Sequence, residues 1–105
     1  MLLGLFQQGR HAELESILRS LVPGCSSDAF LWGLLGTVLE VQGKDGIEAL
    51  SRATAINPSD FDANMSLGTA LRNRGRLSEA VEAYAKAVAG QPKNPAGLFN
   101  LGETW

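Results

Sequence analysis

FDANMSLGTALRNRGRLSEAVEAYAKAVAGQP, residues Phe61 to Pro92, decides the fold. Ala63, Leu67, Ala70 and Leu71 recur at i, i+4, i+7 and i+8, which places them on one face of a helix. Asn73-Arg74-Gly75-Arg76 interrupts that stripe, and Gly75 can take the positive φ of a cheap reversal. A second stripe follows at Leu77, Ala80, Val81, Tyr84, Ala87 and Val88. Gly90-Gln91-Pro92 stops it, because proline cannot continue the helical ladder. Helices of roughly 14 residues are marginal alone in water, so the two must pack on each other. Gly68 interrupts the first stripe beside Leu67. A helical glycine costs about 1 kcal/mol relative to alanine. Its presence implies close approach by the second helix, with Ala80 and Tyr84 facing it.

The pattern repeats on both sides. Trp32-Gly33-Leu34-Leu35-Gly36-Thr37-Val38-Leu39 lies 32 residues before Asn64-Met65-Ser66-Leu67-Gly68-Thr69-Ala70-Leu71. Leu98-Phe99-Asn100-Leu101-Gly102-Glu103-Thr104-Trp105 lies 34 residues after it. Reversal glycines recur at Gly9, Gly43 and Gly75, and Ile56-Asn57-Pro58 matches Gly90-Gln91-Pro92. Ser27 or Asp28, then Ser59 or Asp60, supply N-caps for the first helices of two units. Asp45 opens the second helix of the earlier unit, and Asn94-Pro95 opens the last helix.

These residues resemble the tetratricopeptide repeat, a helix–turn–helix unit of about 34 residues. In the unit beginning at Phe61, Leu67, Gly68, Leu71, Ala80, Tyr84, Ala87 and Pro92 fall on the family's pattern, while Asn64 departs from its bulky position. In the unit before, Trp32, Leu35, Gly36, Leu39, Ala53 and Pro58 match, with Gly46 and Leu50 in place of the alanine and the aromatic. Gly43 to Ile47 is two residues shorter than Gly75 to Val81, so that turn is tighter. In the last unit Leu101 and Gly102 match. The resemblance implies an all-α, right-handed superhelix of hairpins. The expected units are a partial repeat over 1–27, repeats over 28–60 and 61–94, and, over 95–105, the first helix of a fourth repeat or a capping helix. The run LGLFQQGRHAELE, from Leu3 to Glu15, is similar to the opening of many bacterial members of the family. Some of those precede a domain like that of O-linked N-acetylglucosamine transferase.

Composition bounds the function. One domain of 105 residues with 45% hydrophobic content can build a core. A net charge of −2 leaves no electrostatic footprint for nucleic acid. Arg72, Arg74 and Arg76 read as a solvated helix end. No run of about 18 apolar residues exists to span a membrane. Met1 to Leu5 is too short and lacks the basic flank of a signal peptide. Cys25 alone forms no intrachain disulfide, so a cytoplasmic setting is expected. His11 has no Cys or His neighbour for a metal site, and Glu13 and Glu15 lie on different faces of one helix. No phosphate loop or nucleophile–base pair is evident, so neither catalysis nor a cofactor is expected.

Stacked hairpins instead make a groove lined by the first helix of each unit. The resemblance implies that Phe30, Gly33, Thr37, Glu40 and Val41 face it, then Asp62, Met65, Thr69, Arg72 and Asn73, then Ala96, Phe99 and Glu103. Phe30, Met65 and Phe99 would be the apolar anchors for a peptide or partner protein. Chaperone-binding members hold a terminal carboxylate with Lys, Asn and Arg. Phe30, Gly33, Leu34, Thr37, Asp62, Met65, Ser66 and Thr69 supply no such clamp. Glycosyltransferase-linked arrays carry a repeated Asn, matched here by Asn100 but not by Leu34 or Ser66. The expectation is therefore an adaptor that binds protein. The alternative is the substrate-recognition arm of a larger glycosyltransferase. Self-association through the apolar chain ends is a further expectation, resting on Leu98, Leu101 and Trp105.

Overall fold

The chain reverses at Gly9, Gly43 and Gly75, whose φ angles are 75°, 79° and 77° in a computed structural model that describes residues 2–24 and 27–104. This is the left-handed region, where glycine escapes the Cβ clash. The reversals separate helices α1 (Leu2–Gln7) and α2 (His11–Leu21), α3 (Ala29–Val41) and α4 (Ile47–Ile56), and α5 (Phe61–Asn73) and α6 (Leu77–Gly90). A 3-10 turn over Val22–Gly24 follows α2, and α7 (Pro95–Thr104) follows α6. The described residues form helices and turns with no strand. No described helix is long and apolar enough to cross a membrane.

The caps are local chemistry. Asp28 Oδ1 accepts from the N–H groups of Phe30 and Leu31 at 3.0 and 3.3 Å. Asp60 Oδ1 accepts from Ala63 N–H at 3.2 Å. Asn94 Oδ1 takes the N–H of Ala96 at 3.0 Å, just ahead of Pro95 and α7. Helix α4 starts two residues later than the sequence suggested. Asp45 Oδ1 accepts from Ile47 N–H at 3.0 Å, so Asp45 closes a turn outside the helix and Gly46 becomes its N-cap.

Two clusters make the core. Leu14 and Leu18 of α2 pack with Leu31, Leu35, Val38 and Leu39 of α3 and Ala49 of α4. Leu71 of α5 packs with Ala80, Ala83 and Tyr84 of α6, and Met65, Leu67 and Leu101 press against them half-buried. Ala87 is fully buried on α6, whereas Pro92 is exposed in the turn that follows. Half-buried Trp32 closes the first cluster, with the Arg52 guanidinium 5.0 Å from its ring centre.

The helical glycines record how the hairpins close. A Cβ on Gly68 would lie 2.7 Å from Cδ1 and Cε1 of Tyr84. The Tyr84 ring therefore occupies the space that the glycine leaves, and its hydroxyl meets Thr69 Oγ1 at 2.8 Å. In the preceding hairpin, Cβ atoms on Gly36 and Gly46 would run into Leu50 and into each other's backbone. The tighter turn expected here is not found: residues 42–46 connect α3 to α4, against 74–76 between α5 and α6. The two missing residues come out of the start of α4, where Gly46 stands in place of an alanine and the backbones meet. Gly90, read as part of the stop signal, is the last residue of α6, and a Cβ there would be 2.6 Å from the Ser59 carbonyl oxygen. Gly102 differs from Gly36 and Gly68. A Cβ there meets nothing within 4 Å, because no described helix packs against that side of α7. The expectations placed on Cys25 and Trp105 lie outside the described residues.

Candidate functional site: the furrow between α3 and α5

Helices α3 and α5 lie side by side and leave a furrow along their shared face. It consists of two hollows that meet at Thr37 and Ser66. The first, about 240 Å³, lies between the N-terminal halves of the two helices and is walled by Phe6, Phe30, Gly33, Leu34, Asp60, Asp62 and Ala63. The second, about 340 Å³, is walled by Glu40, Val41, Met65, Thr69, Ala70 and Asn73.

The structure brings Phe30, Gly33, Thr37, Glu40, Val41, Asp62, Met65, Thr69 and Asn73 together along this one furrow. Arg72 is not among the lining residues; its guanidinium sits 5.7 Å from the ring centre of Tyr84. Phe99 and Asn100 lie apart on α7. Phe99 is 66% exposed, and the Asn100 side-chain amide donates to Ala96 O at 3.0 Å. The repeat pattern left Phe6, Ala63 and Ser66 out of the groove set, yet all three line it. Ala63 is a buried member of the α5 stripe, so its periodicity reads as core alone. Phe6 belongs to α1, a stub too short for repeat positions to be counted along it.

Hydroxyls and one ion pair set the chemistry of the walls. Thr37 Oγ1 lies 2.9 Å from Gly33 O and 3.1 Å from Ser66 Oγ, so a hydroxyl pair bridges α3 to α5. Glu40 is fully engaged: its carboxylate accepts from both terminal nitrogens of Arg74 at 2.9 and 2.8 Å and from Gly46 N–H at 2.7 Å. That partnership holds the Arg74 guanidinium above its ordinary pKa. Asp60 is occupied as the α5 cap. Asp62 is exposed and accepts no hydrogen bond from a described residue. Outside the furrow, Glu15 of α2 gathers Arg19 Nε at 2.7 Å, Gln42 Nε2 at 2.9 Å and Lys44 Nζ at 2.8 Å. These donors, Lys44 foremost, hold its carboxyl down to a pKa of about 2. Glu13, two residues earlier, pairs instead with Arg10 in solvent. Among the described residues no group of three or more His, Cys, Asp or Glu could hold a metal ion.

A tetratricopeptide repeat family model matches residues 42–95, just over half the chain. The chain belongs to that family, which accounts for its hairpins, its paired glycines and its furrow. A comparison with curated proteins finds no match. Among solved structures it is similar to the first TPR of Spaghetti (RPAP3) bound to the HSP90 peptide SRMEEVD. The TM-score is 0.90 at 19% identity, over 96% of this chain and 82% of that one. It is similar to the MamA protein at a TM-score of 0.90 and 24% identity, over 95% of this chain and 56% of the MamA chain. The Yersinia enterocolitica type III secretion chaperone SycD, in complex with a peptide of the translocator YopD, matches at a TM-score of 0.88 and 15% identity. That alignment spans 98% of this chain and 86% of SycD.

Proposed function

We propose that this chain is a protein-interaction module that holds an extended segment of a partner protein in the α3–α5 furrow, without catalysis. The observation that carries this reading is the wall composition. Phe30 and Val41 are 53% and 52% exposed, Met65 is half-buried beside Val41 in the second hollow, and Thr37, Ser66 and Thr69 line the same furrow. Exposed aromatic and thioether side chains beside neutral hydrogen-bonding groups suit a peptide, whose backbone needs donors and acceptors and whose side chains need apolar cover. The peptide complexes of RPAP3 and SycD support the same use of a similar fold.

The alternative, a substrate-presenting arm, draws on a repeated asparagine. Only Asn100 offers one, and its amide is already bonded within α7. Self-association through α7 belongs to the same proposal, since Leu98 and Phe99 are 50% and 66% exposed there. The solution mass of a Leu98→Asp variant tests that part, and a mass equal to the parent's removes it. The main reading is tested by selecting displayed random peptides on the intact chain and measuring the winners against Met65→Glu. A variant with unaltered helical circular dichroism should lose roughly tenfold or more in affinity, the cost of a charge in an apolar contact. Undiminished binding would place the site elsewhere.

A further inference from the structure

We infer that the hollow between the N-terminal halves of α3 and α5 is a pocket for a lysine or arginine side chain of the bound segment, with its stem on Phe6 and Phe30 and its head at Asp62. This rests on the furrow being the peptide site.

The charges of the furrow are all of one sign. Glu40, Asp60 and Asp62 line it, and no lysine or arginine does. Two of the three acids are satisfied within the protein: Glu40 by Arg74 and Gly46, Asp60 by the N–H of Ala63. Asp62, in the first turn of α5, is the one of the three that accepts no hydrogen bond from a described residue. The arginine that reaches the wall, Arg74, is held by Glu40, and other arginines are engaged away from it. Arg72 stacks on Tyr84, Arg76 pairs with Glu79, and Arg52 covers Trp32. An acidic segment entering here would meet like charge, with the one arginine at the wall, Arg74, already held by Glu40.

The pocket's shape agrees with its charge. Phe6, Phe30, Leu34 and Ala63 give it apolar walls, and Asp62 lies at the same hollow. A long cationic side chain is the group that uses both, burying its methylene stem on the rings and keeping its head in water beside a carboxylate. The furrow follows α3 and α5, each of 13 residues. At 1.5 Å per residue that is about 20 Å, room for roughly six residues of extended chain. The occupant is therefore a short, neutral-to-basic segment with one Lys or Arg at the Asp62 end and apolar or small side chains towards Met65 and Val41.

Random-peptide display on the intact protein tests this, with the winners resynthesised as labelled peptides. Furrow binders, defined by their loss on Met65→Glu, should carry Lys or Arg at a fixed position. Asp62→Asn should weaken them roughly two- to fivefold, as an exposed charge pair does, with the salt dependence falling in parallel. Selection on Asp62→Lys should yield acidic residues at that position instead. Furrow binders without a basic preference, or binders indifferent to Asp62→Asn, would overturn the pocket while leaving the furrow as the site. Binders indifferent to Met65→Glu would remove the furrow and the pocket together.

Discussion

Gly68 and Gly102 occupy equivalent places in two first helices and differ in what they face. At Gly68 the Tyr84 ring fills the space of a Cβ, and at Gly102 nothing lies within 4 Å. Gly68→Ala should therefore cost about 1–3 kcal/mol by forcing a fully buried ring to move. Gly102→Ala should be neutral or stabilise by up to about 1 kcal/mol through helix propensity. Thermal melts of both variants check the pair, and equal effects would contradict the packing. Sequence reading found the close approach at Gly68, because a glycine inside an apolar stripe needs a reason. It could not separate Gly102 from Gly68, because both sit in the same motif and only the neighbouring helix distinguishes them. Glu15 is a second case at this scale. Its folded pKa of about 2 lies below the ordinary 4.5, so the unfolded chain takes up this proton first as pH falls. Its stabilisation is complete above about pH 4.5 and is lost on the way down to pH 2, an effect on the order of 1–3 kcal/mol. Melting temperature followed from pH 5 to pH 2 should fall more steeply in the parent than in Glu15→Gln. Parallel curves would mean that the cluster contributes nothing.

Between elements, the contact that matters most is Glu40 with Arg74. Glu40 sits at the end of α3, Arg74 caps α5, and the same carboxylate takes the Gly46 N–H that opens α4. One side chain thus ties two hairpins and fixes the entry of a third helix. Arg74→Ala should destabilise by about 1–2 kcal/mol, and a double-mutant cycle with Glu40→Gln should show coupling of similar size. Additive effects would reduce the pair to a surface ion pair. This contact was illegible in the sequence. Arg72, Arg74 and Arg76 read as a solvated cluster because local pattern shows only their neighbours. Arg74 in fact finds its partner 34 positions away, across a hairpin boundary. Asn64 was illegible in the same way. It breaks the family pattern, is 1% exposed, and donates to Pro58 O and Asp60 O at 2.9 and 3.0 Å, holding the α4–α5 loop against the helix. Helix positions and caps, in contrast, were readable throughout. Periodicity, Asp28, Asp60 and Pro95 are local signals, and only Asp45 misplaced a boundary.

At the scale of the molecule, hairpins that touch only their neighbours share stability unevenly. Helices α5 and α6 enclose Tyr84 and Ala80, whereas α7 buries only Gly97 among its described residues and leans on Leu101. Amide exchange should accordingly be slowest in α5 and α6 and fastest in α7, by a factor that tracks local opening. Uniform protection across the chain would show that it unfolds as one unit. The furrow's walls were legible from repeat geometry, but its extent was not, since α1 contributes Phe6 and α7 contributes nothing to it. The truncated start of α4, 10 residues long against 14 in α6, has a last consequence, for anyone building with this fold. The backbone contact of Gly36 with Gly46 and the reach of Glu40 to the Gly46 N–H are made at that late start, where Gly46 is the N-cap. The α3–α4 hairpin is therefore a keyed part that fits one slot, not a brick. An added module would have to copy α5–α6, whose second helix keeps all 14 residues. A chimaera that exchanged the two hairpins would lose the register between neighbours even though every helix in it could still form.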